Sequence, residues 1–321
     1  MNARAIAAAL ALGALAAGPS SAAVFKDPKI LFKDVTGDIR VTSSTATDEI
    51  EVSILQGKAY HRIALSEDKG VLTVTGEKWR DDEARDCCDG RIRRTVNLQR
   101  GRELAISEFS DGDFFADYPV ITVTLPRKTD VAFKDARMKL KMDDISGALS
   151  LDGCYVHGET GDAGDAIIGV TGGSRLVVGD ISAGLEINVS GAADVKTGSA
   201  ASADIDIAGS GDVILGDIDG MLDVSIAGSG TARSTRLDGP LTVRIAGSGA
   251  TMVKAGRADK LKATIDGSGG VFFDGTAVDP ELRLHGSAEA RLGAVEGRIM
   301  RPSPDGAVYV GGKLVPRDED E

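Results

Sequence analysis

Asp204, Asp206 and Asp223 are the residues whose types and spacing come nearest to chemistry. Two carboxylates two positions apart on a strand share a face at about 6.6 Å, and a third nineteen positions on falls about 4.8 Å from the first if the chain repeats at that period. Carboxylates so close repel one another unless a proton or a cation intervenes. Calcium sites and polysaccharide-cleaving sites gather acids in this way. Ser225 lies beside the group, and Arg244 and Lys262 follow at related offsets. The competing reading is a solvated face on an acidic protein, and it is preferred. Sugar-active clefts usually present aromatic platforms, yet residues 150 to 300 hold only Tyr155, Phe272 and Phe273. No catalytic residue and no metal ligand is assigned; Asp204, Asp206 and Asp223 stand as the candidate acidic face.

Other chemistry finds less. The histidines, His61, His157 and His285, lie in no nucleophile elbow. Serines in Gly-Ser-Gly recur through the central segment, which a catalytic residue would not do. Each glycine cluster leads into another strand and not into a helix start, so no phosphate or dinucleotide loop is formed, and no cofactor is expected. Cys87 and Cys88 are neighbours, and a bridge between them would strain the intervening peptide. If a disulfide forms, Cys88 with Cys154 is the candidate pair; a lone buried Cys154 is the alternative.

These residues are positioned by a repeat. Ile-Ala-Gly-Ser-Gly begins at Ile207, Ile226 and Ile245, and Ile265-Asp266-Gly267-Ser268-Gly269 follows. With weaker copies on either side, the central glycines are 153, 172, 191, 209, 228, 247, 267 and 286, in steps of 18 to 20 residues. Two and four residues before each glycine stand aliphatic side chains, such as Ile226 with Val224 and Ile245 with Val243. After it, pairs such as Val213 with Leu215 and Val271 with Phe273 alternate again, and Ile181, Ile218, Leu237 and Val295 mark a short third side. A nineteen-residue coil cannot bury its own inward side chains, but identical coils stacked about 4.8 Å apart enclose a continuous aliphatic column. The fold class is therefore all-β, a single-stranded parallel β-helix of about 19 residues per coil, right-handed by the general preference of crossover connections. Positive φ or close backbone approach explains the corner glycines. The serines after them, 210, 229, 248, 268 and 287, are expected to cap the corners. Phe272 is expected to point outward under a cover, beside inward Phe273. In the first coil His157 and Glu159 occupy inward columns, so that coil is expected to be irregular or open.

The organisation read from these patterns has four parts. Residues 1–23 are a secretory signal peptide: Arg4, an apolar run from Ala5 to Ala17, then small residues, with cleavage near Ala23. Residues 24–130 form a β-rich region leading into the stack, with strands at Ile39 and Val41, Ile50 to Ile54, Val71 to Val74 and Val120 to Leu125. Charged and aromatic loops lie between them, at Glu77 to Arg94 and around Asp111-Gly112-Asp113. Residues 131–300 are the coil stack, and 301–321 hold a last strand near Ala307 to Val310 and an acidic tail. Without the leader, 36 basic side chains face 49 acidic ones, a formal −13. Such a surface repels nucleic acid and anionic membranes, and no stretch is long and apolar enough for a membrane span.

The recurring Ile-Ala-Gly-Ser-Gly with a following Asp-Val, as in Ile207 to Val213, resembles the family named "putative auto-transporter adhesin, head GIN domain". Val120-Ile121-Thr122-Val123-Thr124-Leu125-Pro126 and the segment Val131 to Gly153 are similar to related adhesin β-helix families. The resemblance runs from about residue 120 to 297, and more faintly from 30 to 119. It implies an exported β-helix with no established activity and brings no catalytic residues. The short acidic tail departs from an auto-transporter, since it offers no membrane-barrel translocator. The resulting expectation is a periplasmic or secreted non-enzymatic surface or assembly module whose partner is an unidentified envelope ligand, glycan or protein. The alternative is a polysaccharide-modifying or carbohydrate-binding protein that uses the acidic face.

Overall fold

The computed structural model describes residues 21–26, 28–59, 61–78, 94–98, 102–106, 114–301 and 305–316. Over these the chain is all-β apart from a short 3-10 turn at Phe114–Asp117, and it forms a parallel solenoid of about nine turns with roughly 19 residues each. Register follows the repeat. Leu222, Val224 and Ile226 lie on Ala203, Ile205 and Ile207 of the preceding coil, and Leu241, Val243 and Ile245 lie on them in turn. All nine side chains are buried. The second side stacks the same way, with Val213 on Val195 and Ala232 on Val213. Phe273 is fully buried, and Phe272 beside it is half-buried under a side chain, with the Arg291 guanidinium 5.7 Å from its ring centre.

The corners carry a column of residues with positive φ. From Gly172 it runs through Gly191, Gly209, Gly228, Gly247 and Gly267 to Gly286. A Cβ on Gly228 would stand 2.3 Å from the carbonyl oxygen of Gly209, so the corner has no room for one. Backbone amides cap these corners: Ser229 N–H donates to the Gly209 oxygen at 2.9 Å, and Ser248 N–H to the Gly228 oxygen at 2.9 Å. The serine side chains are exposed. The expected capping thus belongs to the serine amides.

The first coils depart from the expected alignment. Leu149 pairs with Ala166 and Gly153 with Val170, so Tyr155, at φ 57°, takes the corner and not Gly153. Downstream of that corner Val156 and Thr160 are buried, while His157 pairs with Arg175 and Glu159 with Val177 in the outward columns. The expectation that His157 and Glu159 point inward is therefore corrected. A two-residue shift of the corner keeps the first side in phase, but the turn after it is one residue shorter than in the next coil, Tyr155 to Gly158 against Gly172 to Leu176, so every side chain after it changes face. Positive φ recurs upstream at Asp135 and Asp34, at 53° and 54°, which are in register with each other, while the pairing shifts between Asp135 and the corner at Tyr155.

The stack begins earlier than the glycine repeat. Lys29–Lys33 and Thr36–Ser44 lie parallel to Asp130–Met142, with Phe32 stacked on Phe133 at 4.8 Å between ring centres. Val71–Thr75 covers the first of these strands and Val120–Pro126 the second, both in parallel register. Antiparallel strands then close the end: Ala64–Asp68 on Val71–Thr75, and Ile50–Leu55 on Val120–Pro126. Ser21–Phe25 pairs with Ile50–Leu55, so the expected cleavage point after Ala23 falls within a strand. At the other end Lys313–Leu314 turns back on Ala307–Val310. Antiparallel ends use up backbone groups that would otherwise template pairing with another chain. Residues 94–98 and 102–106 form a separate hairpin. Among the described residues no helix is long and apolar enough to cross a membrane.

His61 is buried near this end, where its Nε2 accepts the backbone N–H of Thr36 at 3.2 Å and of Glu77 at 3.3 Å. Burial lowers its pKa against the smaller opposing pull of Glu77.

The inward and outward columns can be separated by mutation. Ile226→Asp places an unpaired carboxylate at a site 1% exposed and is expected to unfold the stack, since that burial costs several kcal/mol against a total stability of about 5 to 15 kcal/mol. Ser225→Asp, on the opposite face, is expected to melt within a few degrees of the parent. Equal melting temperatures in thermal unfolding by circular dichroism would overturn the column assignment.

Candidate functional site

The outward face of the first side carries the acidic residues. Asp204 is in direct register with Asp223, and Asp206 with Ser225, so the strand pairing brings the three carboxylates together as the spacing implies. The strands Ala200–Gly209 and Leu222–Gly228 hold them because the same period that buries Ile205 and Val224 turns their neighbours outward. Glu186, one coil earlier, is paired with Asp204, and Asn188 with Asp206. Sequence reasoning passed over Glu186, although it stands five residues before Gly191 as Asp204 does before Gly209. The Asn188 amide donates to Glu186 Oε1 at 2.9 Å.

The later half of the same face is basic. Arg244 pairs with Ser225 in register and reaches across to Asp223, Nη1 to Oδ1 at 2.7 Å. Lys262 and Arg283 follow, both held by Glu281, with the Lys262 contact at 3.4 Å and the Arg283 contact at 2.5 Å. Arg244 thus neutralises one of the three acids, and among the described residues no ion pair reaches Asp204 or Asp206. Desolvation raises the Asp204 pKa first, then repulsion from Asp223, Asp206 and Glu186, against a smaller opposing pull from Arg244. The face is an open sheet with exposed Asp204 and Asp206. Among the described residues no group of three or more histidines, cysteines, aspartates and glutamates is arranged to hold a metal ion.

A second acidic series is structural. Asp144, Asp162 and Asp180 stack at another corner, where each carboxylate accepts a backbone N–H from the next coil: Asp162 to Asp144 at 3.0 Å, Asp180 to Asp162 at 2.8 Å and Ser199 to Asp180 at 2.7 Å. The recurring Gly161-Asp162 and Gly179-Asp180, eighteen residues apart, was the available signal. Beside this corner lies an open depression of about 690 Å³, lined in part by Arg127, Lys141, Asp144 and Glu159. Four of its charges are already paired, Arg127 with Asp144 at 3.6 Å and Lys141 with Glu159 at 3.3 Å.

Cys154 is disulfide-bonded. Cys87 and Cys88 lie outside the described residues, as do Trp79, most of the Glu77 to Arg94 loop, Asp111 to Asp113, residues 1–20 and the acidic tail from 317.

No family model matches the chain, the head GIN domain included, and no curated protein matches it. Solved structures do show likeness along most of its length. A "putative adhesin" from Parabacteroides distasonis is 16% identical, with a TM-score of 0.39 over 91% of this chain and 97% of that one. Another "putative adhesin", from Parabacteroides merdae, is 16% identical with a TM-score of 0.34 over 91% and 96%. A "putative lipid binding protein" from Parabacteroides distasonis is 11% identical with a TM-score of 0.35 over 91% and 97%.

Asp204 makes a pH-dependent contribution that is the reverse of a salt-bridged carboxylate's. Its folded pKa lies above the unfolded value, so the folded state binds the proton more readily. Stability therefore falls as pH rises from the unfolded value near 3.8 through the raised folded value, and stays lower above it. Asp204→Asn removes that loss. It is expected to melt about 1 to 3 °C above the parent at neutral pH, from like-charge cross-strand repulsion of a few tenths to 1 kcal/mol, and to match it below the window. A variant less stable at neutral pH would contradict the reading.

Proposed function

We propose that the chain is an exported, non-enzymatic surface or assembly module of the cell envelope, adhesin-like in acting through its sheet faces. The observation that carries this is the position of Asp204, Asp206 and Asp223. They stand on the outward columns of one continuous sheet, two of them exposed and the third ion-paired to Arg244. A site that shields a reacting sugar from water needs enclosure and groups aimed at one bond. A flat wall of in-register side chains suits extended contact with a large partner. The accompanying proposals are cleavage of a leader near Ala23, a periplasmic or secreted location, a disulfide from Cys88 to Cys154, and the four-part division of the chain at 23, 130 and 300. The partner is an envelope glycan or protein.

A second reading keeps the acidic face as a carbohydrate site, and the raised pKa of Asp204 beside other carboxylates supports it, because a carboxyl that holds its proton more readily can serve as a general acid. The two readings separate on the variant with Asp204, Asp206 and Asp223 all changed to Asn. Beads coated with the full chain are expected to bind fixed cells of the producing bacterium, with the triple variant binding equally and the unfolded Ile226→Asp chain not binding. Added calcium is expected to leave the melting temperature unchanged. Release of reducing ends from cell-wall polysaccharide by the parent but not the triple variant would overturn the proposal, as would a melting temperature that climbs saturably with calcium only in the parent.

A further inference from the structure

We propose that the outward face of the first side is a self-complementary docking surface for a second copy of this chain, packed face to face with its stack direction reversed. The charges on this face are segregated along the stack. Glu186, Asp204, Asp206 and Asp223 occupy three successive coils, and Arg244, Lys262 and Arg283 occupy the next three, with Glu281 the one acid among them in these two columns. The columns are continuous, since each residue stands in register with the one before.

A two-fold axis in the plane of such a face, running along the strands between the coils of Asp223 and Arg244, turns the acidic half onto the basic half. Each column then meets itself in reverse. Asp204 comes opposite Lys262 of the second copy, the acid whose neighbours are all carboxylates apart from Arg244 meeting a cation. Arg244 of the second copy comes opposite Ser225, with Asp206 and Asp223 on either side. Arg283 of the second copy comes opposite Asn188, next to Glu186. Glu186 meets Glu281, whose charge Lys262 and Arg283 already offset. Beside the charged columns the middle coils carry small side chains, Ala208, Ala227 and Ala246, with Asp266 and His285 on the two coils after them, and the axis sets Ala227 against Ala246 and Ala208 against Asp266 of the second copy. The alanines let the two sheets approach closely near the axis. Every contact occurs twice, as a closed two-fold interface requires.

The size of the face sets the strength. Six coils at about 4.8 Å and five residues at about 3.3 Å give about 500 Å² per copy, so about 1,000 Å² in total, at the lower bound for a specific association. A dimer held by this area and by exposed charges is weak and salt-sensitive. Such a dimer follows from the charge order and the register whether or not the chain adheres to anything else.

Sedimentation equilibrium of the full chain tests it. The parent is expected to be a dimer at high protein concentration in about 50 mM salt and to dissociate in about 500 mM salt. Asp204→Lys with Asp206→Lys gives the face a net positive charge, and Arg244→Glu with Lys262→Glu gives it a strongly negative one; each is expected to be monomeric alone. Mixed one to one, they are expected to form a heterodimer. Recovery on mixing also shows that both variants are folded. A parent that stays monomeric in low salt overturns the proposal, and so does a dimer that survives in both single variants. If a variant fails to fold by circular dichroism, the salt dependence of the parent decides: a dimer that resists high salt is not held by this face.

Discussion

Neighbouring coils hydrogen-bond to one another along their whole length, so they stay about 4.8 Å apart at the corners as well as on the flat sides. Where the chain turns, the carbonyl of one coil points at the backbone of the next, and the space for a Cβ disappears. In the central coils φ at the corner is 125 to 134°, outside the left-handed basin that an L side chain can occupy, and only glycine stands there. At the start of the stack the turns have φ of 53 to 57°, inside that basin, and Asp34, Asp135 and Tyr155 stand at them. Everything else follows from keeping that corner. The inward columns stay in line, and the outward columns become ordered rows.

The central stack was legible because its requirement for glycine is absolute and leaves a mark at every turn. The aliphatic columns before and after each glycine are buried as their spacing implies, from Leu149 to Leu284 and from Leu176 to Leu292. The early coils were less legible for the same physical reason. Where φ falls in the left-handed basin the glycine is not needed, so the marker is lost and Gly153, near the true corner at Tyr155, attracts the alignment. The trace that remained was Phe32-Lys33-Asp34 against Phe133-Lys134-Asp135, an inward aromatic two residues before a corner aspartate in both. Asp144, Asp162 and Asp180 were equally visible as residue types, but their role lies in bonds to the backbone of the next coil, which becomes apparent only once the corner is placed.

The candidate face was half visible. Asp204, Asp206 and Asp223 were placed together by period alone, and the structure keeps them together. The chain's regularity also makes charge placement additive along the stack. A carboxylate at one coil feels the side chains one coil above and below, so Glu186 and Asp223 act on Asp204 while Arg244 acts mainly on Asp223. Acids and bases sorted to opposite ends of one face give that face a direction, which isolated residues would not have.

The claim that the corner governs the stack is tested most directly by equilibrium unfolding of Gly228→Ala beside Gly173→Ala. A Cβ at Gly228 meets the Gly209 carbonyl oxygen at 2.3 Å with φ at 133°, whereas a Cβ at Gly173 meets nothing within 4 Å. The account predicts a loss of about 1 to 3 kcal/mol or more for Gly228→Ala and no loss for Gly173→Ala. Equal stability of the two variants would contradict it.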